Sequence, residues 1–163
     1  MQHPTNPTAA KFQRLLQELG LSGQVVEFNE TTRTAADAAA AISCEVGQIV
    51  KSLVFKTNDG HQAVVVYTSG AHRVDEARLA ALVGEPLGKA DADFVRSVTG
   101  YAIGGVPPFG FARLPFTFVD QSLLAYETIW AAAGTQNAVF PLTPADLVQH
   151  TGAQPVSLTK ETT

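Results

Sequence analysis

Residues 49–68 read IVKSLVFKTNDGHQAVVVYT, and the parsing of this stretch decides the fold. Asn58-Asp59-Gly60 stands between two apolar runs, and Asp-Gly supplies the positive-φ positions that a tight hairpin turn requires. The pattern predicts antiparallel strands over 49–56 and 62–68. The second, with its continuous AVVVY, suits a strand covered on both faces and is placed centrally in a sheet. The first alternates, so that Ile49, Lys51, Leu53 and Phe55 share a face. An ammonium among large apolar side chains is costly unless its head reaches water or meets an anion. Two readings of Lys51 are open: a lysine at a sheet rim, or a cation fixed on a cleft wall for a phosphate or carboxylate. Lys56, at the strand end, reads as a solvated charge.

Outward from the hairpin, short helices announce themselves by their caps. Asn6-Pro7-Thr8 starts a helix whose Phe12, Leu15, Leu16 and Leu19 fall on one face, with Gly20 placed to end it. A strand over 25–28 follows. Thr34 and Asp37 form a capping-box pattern before an alanine-rich helix over 35–43, which can pack closely as a wall element. Asp75 caps a helix carrying Leu79, Leu82 and Val83 and ending at Gly84. Asp91 caps another with Phe94, Val95 and Val98, closed at Gly100. Strands are expected over 116–119, 128–132 and 138–142, with Asp120 capping a turn over 122–127 and a second turn at 134–137. Thr143-Pro144-Ala145-Asp146 opens a last helix to about Gly152, and 156–158 reads as an edge strand. Strands mixed with short helices, and hairpins beside crossovers, predict an α+β fold: one domain over 1–163, its mixed sheet partly barrel-like, its ends frayed at 1–6 and 160–163.

Composition narrows the function. Hydrophobic residues at 45% against 16% charged describe a globular chain, and the apolar runs are too short and broken for a membrane span. The N-terminus lacks the order of a signal peptide, which makes the cytosol the expected compartment. Cys44 is the single cysteine, so no internal disulfide can form. A net charge of −4 argues against coating nucleic acid through the overall field, but leaves room for a local basic pocket. His3, His61, His72 and His150 are scattered with no metal-ligand spacing, so neither a metal nor a cofactor is expected. No G-x-S-x-G occurs, and Cys44 lacks a nucleophile signature. Residues 84–89, GEPLGK, fail as a phosphate loop: they have three residues between the glycines, a proline within, and Ala90 where Ser or Thr belongs.

What remains is residues 99–110, TGYAIGGVPPFG. Glycines make this backbone permissive and let a ligand approach the main chain, whereas Pro107 and Pro108 stiffen it. The loop is either a tight strand connection or a preset array of main-chain donors and acceptors. Opposite Lys51, such an array has the parts to stabilise a developing oxyanion.

The combination of Gln48-Ile49-Val50-Lys51-Ser52-Leu53 with Thr99-Gly100-Tyr101 and Gly104-Gly105-Val106-Pro107-Pro108-Phe109-Gly110 resembles the YbaK/ProX family, freestanding relatives of the editing domain of bacterial prolyl-tRNA synthetases. The resemblance implies trans-editing: hydrolysis of the ester that joins a wrong, small amino acid to the terminal ribose of a tRNA. It further implies that Lys51 holds the phosphate or ribose end, and that Gly104 and Gly105, with the rest of the G-x-x-x-P loop over 104–108, line the aminoacyl pocket through their backbone. Ser52, Tyr101, Val106, Pro107, Pro108, Phe109, Gly134 and Asn137 are the further substrate-binding candidates, with Phe28 and Thr31 placed there by their position. The chain departs from the cysteinyl-tRNA branch, whose loop resembles GG-x-SPLG: Pro107 replaces the serine. That branch also has a Gly-Gly turn and a later aspartate where this chain has Ala133-Gly134 and Val139, and Thr135, Gln136 and Asn137 are candidates for the missing polar contacts. The partners implied are an aminoacyl-tRNA acceptor end and a synthetase that delivers it. The alternatives are a non-catalytic module binding an aminoacyl-tRNA end, a synthetase or a small metabolite, and a hydrolase of small esters or aminoacyl phosphates.

Overall fold

The computed structural model describes residues 4–28, 34–113 and 115–160. Five α-helices and eight strands alternate along the described residues: α1 Pro7–Glu18, β1 Val26–Glu27, α2 Ala35–Ile42, β2 Val50–Thr57, β3 Ala63–Ser69, α3 Glu76–Val83, β4 Leu87–Lys89, α4 Ala92–Thr99, β5 Phe116–Asp120, β6 Ile129–Ala132, β7 Ala138–Leu142, α5 Pro144–Thr151 and β8 Gln154–Val156. Short 3₁₀ turns precede β2 and follow β5.

A five-stranded sheet has the order β4-β2-β3-β5-β8 and a three-stranded sheet the order β1-β7-β6. The first is mixed: β2 and β3 are antiparallel, with Lys51 opposite Thr68, whereas β3–β5 and β5–β8 are parallel. A parallel bridge between Ile49 and Trp130 joins the sheets along one edge without closing a barrel. The fold is thus α+β, as expected, and β3 is the central strand with every residue buried. The period of two in β2 holds as well. Val50 and Val54 pack with Val65 and Tyr67 in the main core, whereas Leu53 and Phe55 pack with Val64 and Val66 in a second cluster.

Caps operate at the expected sites. The Asn6, Thr34, Asp75, Asp91 and Thr143 side chains each accept a main-chain N–H from the first turn. The face of α1 differs from the expected one. Ala9, Phe12, Gln13 and Leu16 are buried, Leu15 is only partly so, and Leu19 is 38% exposed. Gln13 accounts for the difference, because its Oε1 accepts from Val25 N at 2.7 Å and so satisfies the chain entering β1. The strand β4 lies within the stretch read only as a failed phosphate loop, and the edge strand β8 starts two residues earlier than expected. At the chain ends, Thr5 and Asn6 donate to Glu27 and Lys160 N donates to Arg73 O, while residues 1–3 and 161–163 lie outside the described residues.

Candidate functional site

On its outer edge β2 pairs with β4 only at Phe55–Thr57, and Ile49 bridges Trp130 of β6 at the other end, so among the described residues the edge of 51–54 between them has no ladder partner. Two cavities open along it. The first, of about 460 Å³, is lined by all five consecutive residues from Lys51 to Phe55. Side chains alternate between faces, so consecutive lining means that the edge of the strand, with its main chain, borders the space. The second, of about 390 Å³, meets Ile49 to Leu53. Lys51, Ser52, Leu53, Ile103, Gly104 and Val106 line both and form the shared wall.

The two spaces differ in chemistry. The first carries the cations Lys51, Arg73, Lys89 and Lys160 against one carboxylate, Glu76, over a floor that includes Leu53, Phe55 and Val95. The second is lined by Ala35, Ala38, Ala132 and Ala138 with Ile49, Val139 and Trp130, and its polar groups, Lys51 apart, are the uncharged Thr34, Ser52, Thr135 and Gln136.

Lys51 stands where they meet. Its Nζ donates to the His72 carbonyl at 2.8 Å. Burial, and then the charge of Arg73, lower its pKa from the ordinary 10.5. The ammonium is half desolvated beside a second cation, and its one hydrogen bond is to a neutral acceptor. An anion would be welcome there. Ser52 Oγ and Thr68 Oγ1 are buried with no hydrogen-bond partner among the described residues. Ser52 itself sits on the shared wall.

The glycine loop is shaped by contact with the β6–β7 turn. Gly104 has φ +90°, and a Cβ there would lie 2.7 Å from Gln136 Nε2. At Gly105 a Cβ would meet the Thr135 Cα at 2.7 Å and the Gly134 O at 2.9 Å, so the two backbones touch. Behind them Tyr67 OH donates to the Pro108 carbonyl. Burial keeps that phenol neutral by driving its pKa far above the usual range. The central strand therefore braces the loop directly.

Of the sequence candidates, Lys51, Ser52, Gly104 and Val106 line one shared wall, with Gly105 buried immediately behind. Several other candidates sit elsewhere. Pro107, Pro108 and Phe109 are buried, and Phe109 stacks on Phe12 with centroids 5.6 Å apart, so this half of the loop is core rather than cavity wall. Tyr101 packs against the main core, and Gly134 is buried where a Cβ would meet Thr8 and Tyr101. Asn137 uses its carbonyl to accept from Phe28 N at 2.7 Å, and neither residue lines a cavity. Thr31 lies outside the described residues. Arg73, Lys89, Lys160 and Trp130 went unnoticed in the sequence because they come from four separate elements or loops with no local signature.

Known proteins resemble this chain in sequence and fold. The model of the aminoacyl-tRNA editing domain matches residues 29–150. The YwhH protein of Bacillus subtilis (strain 168) is 32% identical over 123 residues, 76% of this chain and 78% of its own. A crystal structure put forward as a trans-editing enzyme for prolyl tRNA synthetase superposes with a TM-score of 0.90 at 43% identity, covering 97% of this chain and 100% of that one. The crystal structure of hypothetical protein APE2540 gives 0.83 at 31% identity, over 92% and 99% of the two chains.

Proposed function

Because the chain belongs to the aminoacyl-tRNA editing domain family, we propose that it is a trans-editing deacylase that hydrolyses the ester of a mischarged small amino acid on tRNA. The observation that carries this reading is the pair of cavities of opposite character that share one wall. The cationic cavity takes the terminal ribose and phosphate, with Lys51 on the phosphate as a point charge. The alanine-lined cavity takes the amino-acid side chain, and its small uncharged lining suits a small residue without charge. The scissile ester then lies over Lys51, Ser52 and Gly104.

Water adds to the ester carbonyl carbon, the bond from that carbon to the ribose oxygen breaks, and the water proton ends on the ribose hydroxyl. Products are the free amino acid and the deacylated tRNA. Main-chain N–H groups bordering the shared wall stabilise the tetrahedral oxyanion, where a single donor is worth on the order of 10²–10³ in rate. The ester is activated and the ribose hydroxyl can orient water, so a strong side-chain base is not required. An initial binding pocket discriminates poorly among small amino acids, which is the need that a second hydrolytic site meets.

The test is to incubate pure protein with Ala-, Cys-, Ser- and Pro-charged tRNAs and follow loss of the ester. At least one should be deacylated, and Lys51→Ala should lower kcat/KM by on the order of 10² or more with an unchanged circular dichroism spectrum. Retained binding with no turnover on any charged tRNA would make the chain a binding module instead. Full activity in the Lys51→Ala protein would remove that residue from the mechanism.

A further inference from the structure

The family match ends at residue 150, yet the cationic cavity includes a residue ten positions later, Lys160. The segment that carries it is tied at each step. Asp75 N donates to Leu158 O at 2.7 Å, Lys160 N donates to Arg73 O at 2.7 Å, and Thr159 bridges Val74 as an antiparallel pair. Leu158 is fully buried against the second cluster. From the far side, Asp120 closes a clasp. Its Oδ1 accepts from Leu158 N at 2.7 Å, and its Oδ2 accepts from Thr159 Oγ1 at 2.9 Å and from both the main chain and the hydroxyl of Ser122.

This is a costly way to hold a segment that does nothing. A carboxylate that is 1% exposed is committed to fixing two residues immediately before an exposed lysine. That lysine joins Arg73, whose charge already acts on Lys51, in a cavity that, among the described residues, has a single opposing carboxylate. Four cations against Glu76, in a chain of net charge −4, is a concentration of positive potential that one phosphate leaves partly unused.

We propose that Lys160, held beside Arg73 by the Asp120 clasp, binds a second phosphate: the phosphodiester one step upstream of the one that Lys51 meets on the single-stranded acceptor end. The proposal rests on the deacylase reading for its ligand, and it makes Asp120 a positioning residue. Substrate affinity is then set partly by a C-terminal strap outside the family-matched region.

The probe is an uncharged RNA minihelix with a single-stranded CCA end, its affinity measured by fluorescence anisotropy over a series of salt concentrations. Each phosphate contact on a single strand adds about 0.7 to the slope of log K against log salt. Lys160→Ala should make the slope shallower by about 0.7. Lys160→Arg should restore it, and Lys11→Ala, which lines neither cavity, should leave it unchanged. Asp120→Asn should lose the same increment, and adding Lys160→Ala to it should lose no more. With charged tRNA, the Lys160→Ala loss should appear chiefly in KM. An unaltered slope and KM in the exposed, fold-neutral Lys160→Ala protein would overturn the proposal even if Lys51→Ala abolishes deacylation. Absence of deacylation with the slope change present would instead overturn the deacylase reading and leave the phosphate site standing.

Discussion

The two cavities on either side of Lys51 are nearly equal in size, at about 460 and 390 Å³, and opposite in kind. One is built from charges delivered by the loop before α3, the end of β4 and the C-terminal strap, the other from alanines of α2 and the β6–β7 sheet. On the deacylase reading, the difference is a division of labour. A nucleic-acid end is recognised by charge, which acts at a distance and tolerates imprecise placement. An amino-acid side chain is recognised by the space left for it, which tolerates little. Changes in the two regions should therefore produce different signatures, in salt dependence on one side and in amino-acid preference on the other.

The largest effect should come from damage to the shared wall. Gly105→Ala would press a Cβ against the Thr135 Cα, backbone against backbone, so neither side can rotate away. A cost of about 1–3 kcal/mol is expected by thermal unfolding. Displacing the loop by about 1 Å should also lower deacylation by on the order of 10²-fold for every amino acid alike. A substrate-selective loss would break the idea of a common wall. Next comes Ala38→Leu, which fills part of the alanine-lined cavity. The ratio of kcat/KM for Ala-charged over Pro-charged tRNA should shift by roughly tenfold with the salt slope intact. If the salt slope moved instead, the division of labour would be wrong.

Tyr67→Phe should be milder. It removes the donor to Pro108 O and leaves a buried carbonyl unsatisfied, a loss of about 1–2 kcal/mol by denaturant titration, with reduced activity from a loosened loop. The smallest effect is on acid stability. Burial raises the pKa of the Asp120 carboxyl, but its bonds from Ser122, Leu158 N and Thr159 outweigh burial and hold it below the ordinary 3.8. A carboxyl whose folded pKa is depressed stabilises fully above its unfolded value and loses that contribution as pH falls through the folded one. The melting temperature should therefore drop more steeply below pH 3.8 in the wild type than in Asp120→Asn. Equal slopes would mean that the clasp carries no ionised carboxylate.

Legibility in the sequence followed the range of the interactions. The β2–β3 hairpin and the five caps depend on residues within a turn of one another, and each stands where its spacing predicts. Lys51 was legible because an ammonium amid Ile49, Leu53 and Phe55 is an anomaly on its own strand. The burial of Gln13 was not legible, since its partner Val25 N is twelve residues away. Nor was the fate of Phe109. The family resemblance implied a substrate-binding role, but stacking on Phe12 and edge contact with Phe140 draw it into the core. Arg73, Lys89 and Lys160 carry no local signature of a site, and only the pairing of β4 with β2 and the bridge from Val74 to Thr159 bring them to one cavity.

The unpaired edge of β2 has one more consequence. A strand border with free main-chain groups is a template on which a foreign strand can grow, and natural sheets guard such borders with lysine. Residues 50–55 read VKSLVF, of which 51–54 lie between the Trp130 bridge and the β4 pairing, and Lys51 is their sole charge. Its removal leaves a short, uncharged, β-prone run at an open border, the composition from which ordered aggregates start. The same ammonium then serves as gatekeeper, and the Lys51→Ala protein should need lower concentrations to stay in solution.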